Sequence, residues 1–228
     1  MLAIALKSAD EPWLAAFSAG LFALAERHGV ELVGGDTTRG ERTVISIAAL
    51  GEVPAGTALS RAGAKPGDDL WVSGELGGAA LGLVHPEIAE AAARLHRPEP
   101  RIALGQRLRG LASAAIDVSD GLAGDLAHIL ERSRVGARVS YELVPRAAAF
   151  RALGDAALEK DCVLSGGDDY ELLFAAPAGR RGELQALARE LALPLTRIGA
   201  VEAGEGLAIV DAAGREMAFR GGFDHFTR

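Results

Sequence analysis

Residues 114–122 read Ala-Ala-Ile-Asp-Val-Ser-Asp-Gly-Leu (AAIDVSDGL), and the fold is decided by this stretch. Ala114 to Val118 predicts a short apolar strand, which runs into a Ser-Asp-Gly turn. A helix begins after the turn, because Leu122, Leu126 and Ile129 share one face at helical spacing. A strand followed by a turn and a helix indicates a sheet that is layered with helices.

The same alternation of strands and helices extends over the chain. Further strands are predicted at residues 1–6, 30–33, 43–50, 70–73, 137–143, 170–175, 195–201 and 207–210. Further helices are predicted at residues 13–28, 77–84, 86–95, 101–111, 146–153 and 181–191. The fold class is therefore α/β (α+β), with mixed sheets and helical layers. Prolines and glycines make residues 53–67 the predicted linker, with a boundary near Gly56 between domains 1–56 and 57–228.

Charge and cysteine content exclude several classes of protein. The 31 acidic and 24 basic residues give a formal charge of −7, which argues against nucleic-acid or anionic-membrane partners. The single cysteine, Cys162, excludes an intrachain disulfide and any cysteine-clustered zinc or iron–sulfur site. It favours a reducing, cytoplasmic location. The apolar segment 1–6 is too short to span a membrane and lacks the basic lead of a signal peptide.

Three glycine–aspartate turns carry the chemical signal. Their sequences are GGDTTRG at 34–40, IDVSDGL at 116–122 and SGGDDYE at 165–171, and each is predicted to follow the end of a strand. One such turn has a plain structural explanation, because Asp120 alone would serve as a helix cap. Three turns with clustered carboxylates and no cysteine favour Mg²⁺, and Mg²⁺ in turn favours phosphate chemistry.

The familiar alternatives are missing from the sequence, which has no Walker A lysine loop, no G-x-G-x-x-G, no G-x-S-x-G and no H-E-x-x-H. Phosphoryl transfer requires mainly positioning and charge neutralisation, so we assign no nucleophile or base. Glycine-flanked backbone N–H groups and the helix that starts at Leu122 are predicted to approach phosphate oxygens. Arg61 in the linker would either reach a nucleotide phosphate or remain solvated.

Two further segments have open interpretations. The run HRPEPR at 96–101 favours a structural role, in which Pro100 and Arg101 start a helix. The terminal GGFDHF at 221–226 would either cover a flat ring with its aromatics or dock into the core. The histidines lack a helical partner at i+4, which disfavours metal binding through them.

The motifs GGDTTRG, SRAGAKPGD, HRPEPR, AIDVSDGL, SGGDDYELLF and FDHF, in this order, resemble the thiamine-monophosphate kinase family. This family is part of the superfamily that includes aminoimidazole ribonucleotide synthetase and selenophosphate synthetase. The resemblance implies direct in-line transfer of the γ-phosphoryl group of ATP to thiamine monophosphate, with several Mg²⁺ ions. The products are thiamine diphosphate and ADP.

The resemblance also implies roles for individual residues. ATP contacts fall on Gly35, Asp36, Arg61 and Ser119. Metal ligands fall on Asp36, Asp117 and Asp120. Contacts to the thiamine substrate fall on Asp168 and the C-terminal Phe223. The sequence leaves open whether Asp169 and Glu171 serve the site or the fold.

The chain departs from the family pattern at its start. Family members begin with a segment that carries another Gly-Asp-Asp turn, further metal-binding aspartates and a substrate-contacting histidine. The resemblance thus predicts a partial N-terminal ATP-binding domain, a complete C-terminal domain and a homodimer for the full-length form. A non-catalytic nucleotide-binding module and another ATP-using enzyme of the superfamily are the alternatives.

Overall fold

The computed structural model describes residues 1–222 and divides into two compact units, the first spanning Met1–Pro54 and the second beginning at Ala55. Residues 53–67, predicted as the linker, contain neither helix nor strand. Phe223, a predicted substrate contact, lies outside the described residues. Each unit combines a sheet with helices, and the predicted fold class of mixed sheets layered with helices is confirmed.

The N-terminal unit is a three-stranded sheet with one helix. Its elements are β1 (Leu2–Leu6), α1 (Glu11–Arg27), β2 (Gly35–Arg39) and β3 (Val44–Ile47). The strand order is β2-β1-β3, with β1 parallel to β2 and antiparallel to β3. Helix α1 begins as predicted, because the Asp10 side chain accepts a hydrogen bond from the Trp13 amide at 3.2 Å. Gly29, with φ at +64°, follows its end.

The predicted strand at 30–33 is wrong. No strand forms there, and β2 begins only at Gly35, so that Asp36 lies near the start of a strand rather than after one. The apolar side chains of this run, Val30, Leu32 and Val33, are all exposed, so none of them lies in the core of the unit. The polar sequence GDTTR pairs instead through its backbone, in parallel register with Leu2–Leu6. Pairing in a sheet depends on backbone hydrogen bonds, and the side chains of a strand need not be apolar.

The C-terminal unit is built around a six-stranded sheet. Its strands are β4 (Asp68–Ser73), β5 (Ala114–Val118), β6 (Gly136–Ser140), β7 (Glu171–Pro177), β8 (Leu195–Glu202) and β9 (Gly206–Val210). Its helices are α2 (Gly78–Val84), α3 (Ala89–His96), α4 (Ile102–Leu108), α5 (Leu122–Ser133), α6 (Phe150–Leu153), α7 (Ala156–Ser165) and α8 (Arg181–Glu190). The strand order is β5-β7-β4-β8-β6-β9, antiparallel except for the parallel pair β6 and β9.

Both faces of this sheet are covered, because side chains alternate along each strand. Leu70 and Val72 of β4 join the core cluster that includes Leu126 of α5. Trp71, between them, faces the other way and packs in a second cluster with Phe174, whose ring stacks on it with a 6.5 Å centroid separation. The sheet therefore has a helical layer on each side.

Two predictions for residues 137–165 require correction, and one helix in this range is additional. The strand predicted over 137–143 ends at Ser140, and a short 3-10 turn follows. The helix predicted over 146–153 is reduced at its start to Phe150–Leu153, because Arg146 instead forms an isolated β-bridge with Leu76. Helix α7 was not predicted. Its signal was Asp155, whose side chain caps the amides of Ala157 and Leu158 at 3.0 Å each.

A buried ion-pair network joins β7 to α3 and α4. Glu171 is only 1% exposed, and its carboxylate accepts hydrogen bonds from the Ser73 hydroxyl at 2.6 Å and from Arg94 at 3.0 Å. Arg101 adds a two-pronged contact at 2.7 and 2.5 Å, immediately before α4 begins. Glu171 therefore serves the fold, and the structural role predicted for the segment 96–101 is confirmed. Arg101 has its pKa raised, chiefly by this hydrogen bond to Glu171.

Among residues 1–222, no helix combines the length and the apolar character needed to cross a bilayer.

The buried network predicts a large loss of stability for Glu171→Gln. The neutral amide leaves two partly buried guanidinium groups without their counter-charge, so we expect the free energy of unfolding to fall by about 3 kcal/mol. Urea denaturation followed by circular dichroism measures this difference. Glu190→Gln is the matched control, because the Arg107–Glu190 pair is exposed and should contribute little. Equal stability of the two variants would contradict the assignment.

Candidate phosphate and substrate site

A cavity of about 430 Å³ lies where two of the three predicted turns meet. The turn after β5 contributes Ser119 and Asp120, and the segment between α7 and β7 contributes residues 165–168 and Tyr170. Leu83 and Val84 of α2 and Leu158 of α7 form an apolar wall. The cavity thus combines carboxylates, glycines and an apolar surface in one place, which is the usual composition of a small-molecule site.

The turn after β5 is held by a buried carboxylate. Asp125, in the first turn of α5, accepts hydrogen bonds from the backbone N–H groups of Ser119 and Asp120, each at 3.0 Å. Gly121 has a φ of +106°, a conformation that only glycine adopts readily. The N–H groups of Ser119 and Asp120 therefore already have an acceptor in Asp125, and contact between backbone N–H groups of the turns and phosphate stays a prediction.

Two backbone hydrogen bonds fasten the second turn onto the first. The Asp168 N–H donates to the Ser119 carbonyl at 2.9 Å, and the Tyr170 N–H donates to the Val118 carbonyl at 2.8 Å. A Cβ at Gly167 would lie 2.2 Å from the Ser119 oxygen, so the approach requires glycine. The prediction that this turn follows a strand is wrong, since it follows α7 and precedes β7.

The second turn stores backbone strain. Asp168 has a φ of +68° and Tyr170 a φ of +51°, both in the left-handed region. An aspartate tolerates this conformation, but a bulky tyrosine pays on the order of 1–3 kcal/mol for it. Both side chains line the cavity, and the Tyr170 hydroxyl contacts Asp168 Oδ1 at 3.3 Å.

Asp169, between these two residues, turns away from the cavity. Its carboxylate is buried and accepts hydrogen bonds from the N–H groups of Gly77 at 2.6 Å and Ala79 at 3.2 Å. Burial raises the pKa of Asp169 to about 6, although these two N–H groups act to lower it. Asp169 therefore holds the start of α2, and Asp168 is the aspartate of this pair that faces the site.

Negative charge accumulates at the β5 turn. The pKa of Asp125 is raised, first by burial and further by the charges of Asp120 and Asp117, against the lowering effect of its two N–H donors. The same two carboxylates, together with Asp168, also help to raise the pKa of Tyr170 after burial. Within residues 1–222, no group of three or more acidic, histidine or cysteine side chains is arranged to hold a metal ion.

The segment before the C-terminus passes beside the cavity. The Ser165 hydroxyl donates to the Arg220 carbonyl at 3.0 Å, and the Arg220 guanidinium pairs with Asp161 at 2.8 Å. Gly222 lies against Gly124 of α5. A Cβ added to Gly124 would be only 2.6 Å from the Cα of Gly222. This contact places the end of the described chain next to the β5 turn.

The remaining predicted ATP-site residues lie elsewhere in the chain. Gly35 and Asp36 are exposed on β2 of the N-terminal unit, where Asp36 Oδ1 accepts a hydrogen bond from the Thr37 amide at 2.8 Å. Arg61 is exposed in the linker segment, and its carbonyl accepts a hydrogen bond from the Ser133 hydroxyl at 3.2 Å. Their nucleotide contacts stay predictions.

Sequence reasoning missed the supporting residues of the cavity. Asp125 carried a usable signal, because an aspartate in the first turn of a helix commonly binds the amides before it. Tyr170, Asp161 and Arg220 carried none, since their relation to the cavity depends on contacts between distant segments.

Two family models match most of the chain. The model for the C-terminal domain of AIR synthase related proteins matches residues 65–212, and the model for the N-terminal domain matches residues 1–53. These matches place the chain among the AIR synthase related proteins, with an N-terminal domain followed by a C-terminal domain.

Individual relatives narrow the class. The chain is 44% identical over 238 aligned positions to the thiamine-monophosphate kinase of Salmonella typhimurium. This alignment covers 99% of the chain and 73% of that protein. The chain belongs to the thiamine-monophosphate kinase family, whose named members are kinases, and the resemblance drawn from its motifs is confirmed.

Solved structures give the same result. The crystal structure of the thiamine-monophosphate kinase from Stenotrophomonas maltophilia K279a aligns with a TM-score of 0.85 at 44% identity, over 95% of this chain and 72% of that one. The structure of AaThiL complexed with AMPPCP and TMP aligns with a TM-score of 0.80 at 27% identity. That alignment covers 99% of this chain and 72% of AaThiL.

The raised pKa of Asp169 predicts a specific pH dependence of stability. Its carboxyl group titrates near 3.8 when unfolded and near 6 when folded, so the folded state binds more protons between these values. The contribution of Asp169 is therefore greatest below pH 4 and is lost as the pH rises through 6. Relative to Asp169→Asn, we expect the wild type to lose about 2 kcal/mol of unfolding free energy between pH 4 and pH 6.5.

Urea denaturation of both proteins at half-unit pH steps measures this difference. Parallel pH profiles for the wild type and the variant would contradict the shifted pKa of Asp169.

Proposed function

We propose that this chain transfers the γ-phosphoryl group of ATP to thiamine monophosphate by direct in-line transfer dependent on Mg²⁺, giving thiamine diphosphate and ADP. The observation that carries the proposal is the meeting of Ser119-Asp120-Gly121 and 165–168 around one cavity, in a member of this kinase family. The complex of AaThiL with AMPPCP, an ATP analogue, and TMP supports the same pair of substrates.

The acceptor would occupy the cavity. Its apolar wall of Leu83, Val84 and Leu158 suits the ring portion of thiamine monophosphate. Asp168 faces the same space and would contact the substrate, as its match to the family pattern implies. Asp120 lies at the other turn, where the phosphate end of the acceptor would meet the nucleotide.

The residues present fit Mg²⁺. Asp117 and Asp120 both help to raise the pKa of Asp125, so negative charge is concentrated around the β5 turn, and a bound dication would offset it. Mg²⁺ commonly binds through one or two carboxylates together with phosphate oxygens and water, so two ligands from this unit suffice. When bound, the ion would neutralise charge on the transferring phosphoryl group. The metal-ligand role that the resemblance implies for Asp36 stays a prediction.

Nucleotide contacts would come from several segments. Ser119 would contribute its hydroxyl, since its amide is held by Asp125. Gly35 and Arg61 would contribute a backbone and a guanidinium contact, respectively. The chain supplies positioning and charge, and the proposal requires no protein nucleophile. The homodimer and the cytoplasmic location implied by the resemblance stay predictions.

The direct test is a coupled assay of ADP release and thiamine diphosphate formation with ATP, thiamine monophosphate and Mg²⁺. The thiamine-monophosphate kinase of Salmonella typhimurium is the positive control. Formation of both products at equal rates is the expected result. If the control turns over and this chain releases neither product, nucleotide titration decides the alternative, because a non-catalytic module would still bind ATP with little need for Mg²⁺.

Removing one proposed metal ligand predicts a selective loss of turnover. We expect Asp120→Asn to lower kcat at least about 100-fold and to raise the Mg²⁺ concentration for half-maximal rate, because the transition state loses charge neutralisation. Steady-state assays over a Mg²⁺ series measure both effects. Asp211→Asn makes the same change in the turn after β9, and it should retain wild-type rates. A normal Mg²⁺ requirement in Asp120→Asn would contradict the role.

A further inference from the structure

The backbone of Tyr170 is strained, although its side chain is not part of the hydrophobic core. Its φ of +51° turns the ring out of the line of β7 into the cavity, and the residue remains 41% exposed. Its neighbours on both sides, Asp169 and Glu171, are buried. A bulky residue held in this conformation without burial points to a function, because packing alone does not explain the strain.

The ring of Tyr170 is also tied to the predicted substrate contact. Its hydroxyl lies 3.3 Å from Asp168 Oδ1, to which it donates. Both residues occupy left-handed backbone positions, and both line the same cavity. The hydroxyl therefore restrains the orientation of the Asp168 carboxylate, and the ring presents a face beside it.

The charged residues that line the cavity determine which sign of charge a ligand should carry. Asp120, Asp161 and Asp168 line it, with Arg220 as the basic lining residue among those described. Arg220 pairs with Asp161 at 2.8 Å, which leaves a net negative lining at Asp120 and Asp168. An aromatic face beside carboxylates is the chemistry that recognises organic cations.

We propose that Tyr170 is a specificity-determining residue that stacks on a flat, positively charged heteroaromatic ring of the acceptor and orients Asp168 toward it. In identifying this ring with the thiazolium of thiamine monophosphate, the inference rests on the proposed function. The apolar wall of Leu83 and Val84 would cover the rest of the ring system.

Isothermal titration with thiamine, which carries the ring but no phosphate, tests this without requiring turnover. We expect Tyr170→Ala to raise the Kd for thiamine about tenfold, from loss of the stacking face. Tyr170→Phe retains the ring and should stay within about threefold of wild type. Thiochrome, the neutral oxidised form of thiamine, should bind at least about tenfold more weakly than thiamine. Equal binding of the two compounds would overturn the charge selection.

Two matched controls separate recognition from folding. Tyr141→Phe removes the hydroxyl of the other tyrosine in the chain. Tyr141 is buried and its hydroxyl donates to Glu159, so this change should leave thiamine binding unchanged. Tyr170→Gly should raise the melting temperature by relieving the left-handed φ, while weakening thiamine binding as Tyr170→Ala does. Ala192→Gly relieves a φ of +49° elsewhere and should raise stability without changing binding.

A purely structural role for Tyr170 would move stability and binding in the same direction, which would overturn the proposal. So would a Tyr170→Ala protein with wild-type affinity for thiamine, or a wild type that binds no thiamine. Failure of the proposed function has a different signature, in which thiamine binding depends on Tyr170 and yet ATP and thiamine monophosphate give no product.

Discussion

The antiparallel pairing of β5 with β7 is the constraint on which the site depends. Its register sets Val118 opposite Glu171, so the end of β5 and the start of β7 lie at the same edge of the sheet. The turn that leaves β5 and the turn that enters β7 must then meet, and the hydrogen bonds from Asp168 and Tyr170 to the β5 end extend the ladder beyond the last paired residues. The cavity is what remains between these two turns and the helices that flank them.

This constraint explains what the sequence could predict. The strand Ala114–Val118 and the helix starting at Leu122 are confirmed, because an apolar strand, a glycine turn and an amphipathic helix are all local signals. The composition of the turns also indicated a polar site. Their convergence was a hypothesis, since Val118 and Glu171 are far apart in sequence and no local pattern specifies a strand register.

The predictions that failed did so for several physical reasons. The apolar residues 30–33 satisfied a strand pattern but form no strand, whereas the polar GDTTR segment pairs with β1 through its backbone. Helix α7 was missed because its own hydrophobic pattern is weak, and its cap at Asp155 follows a four-residue helix that obscured it. The roles of Asp169 and Glu171 could not be read from SGGDDYE, because burial decides them. Both bind structural partners, whereas Asp168 remains exposed at the cavity.

Burial therefore divides the acidic residues around the cavity into supports and candidate ligands, and the supports also account for the strained turn. A left-handed tyrosine persists only if its neighbours fix the backbone on both sides. Asp169 does so through the amides at the start of α2, and Glu171 through Arg101 and Ser73. Each anchor is buried and hydrogen-bonded, so neither can shift without leaving polar groups unsatisfied. The rigidity that presents the Tyr170 ring to the cavity thus originates in two carboxylates that never face it.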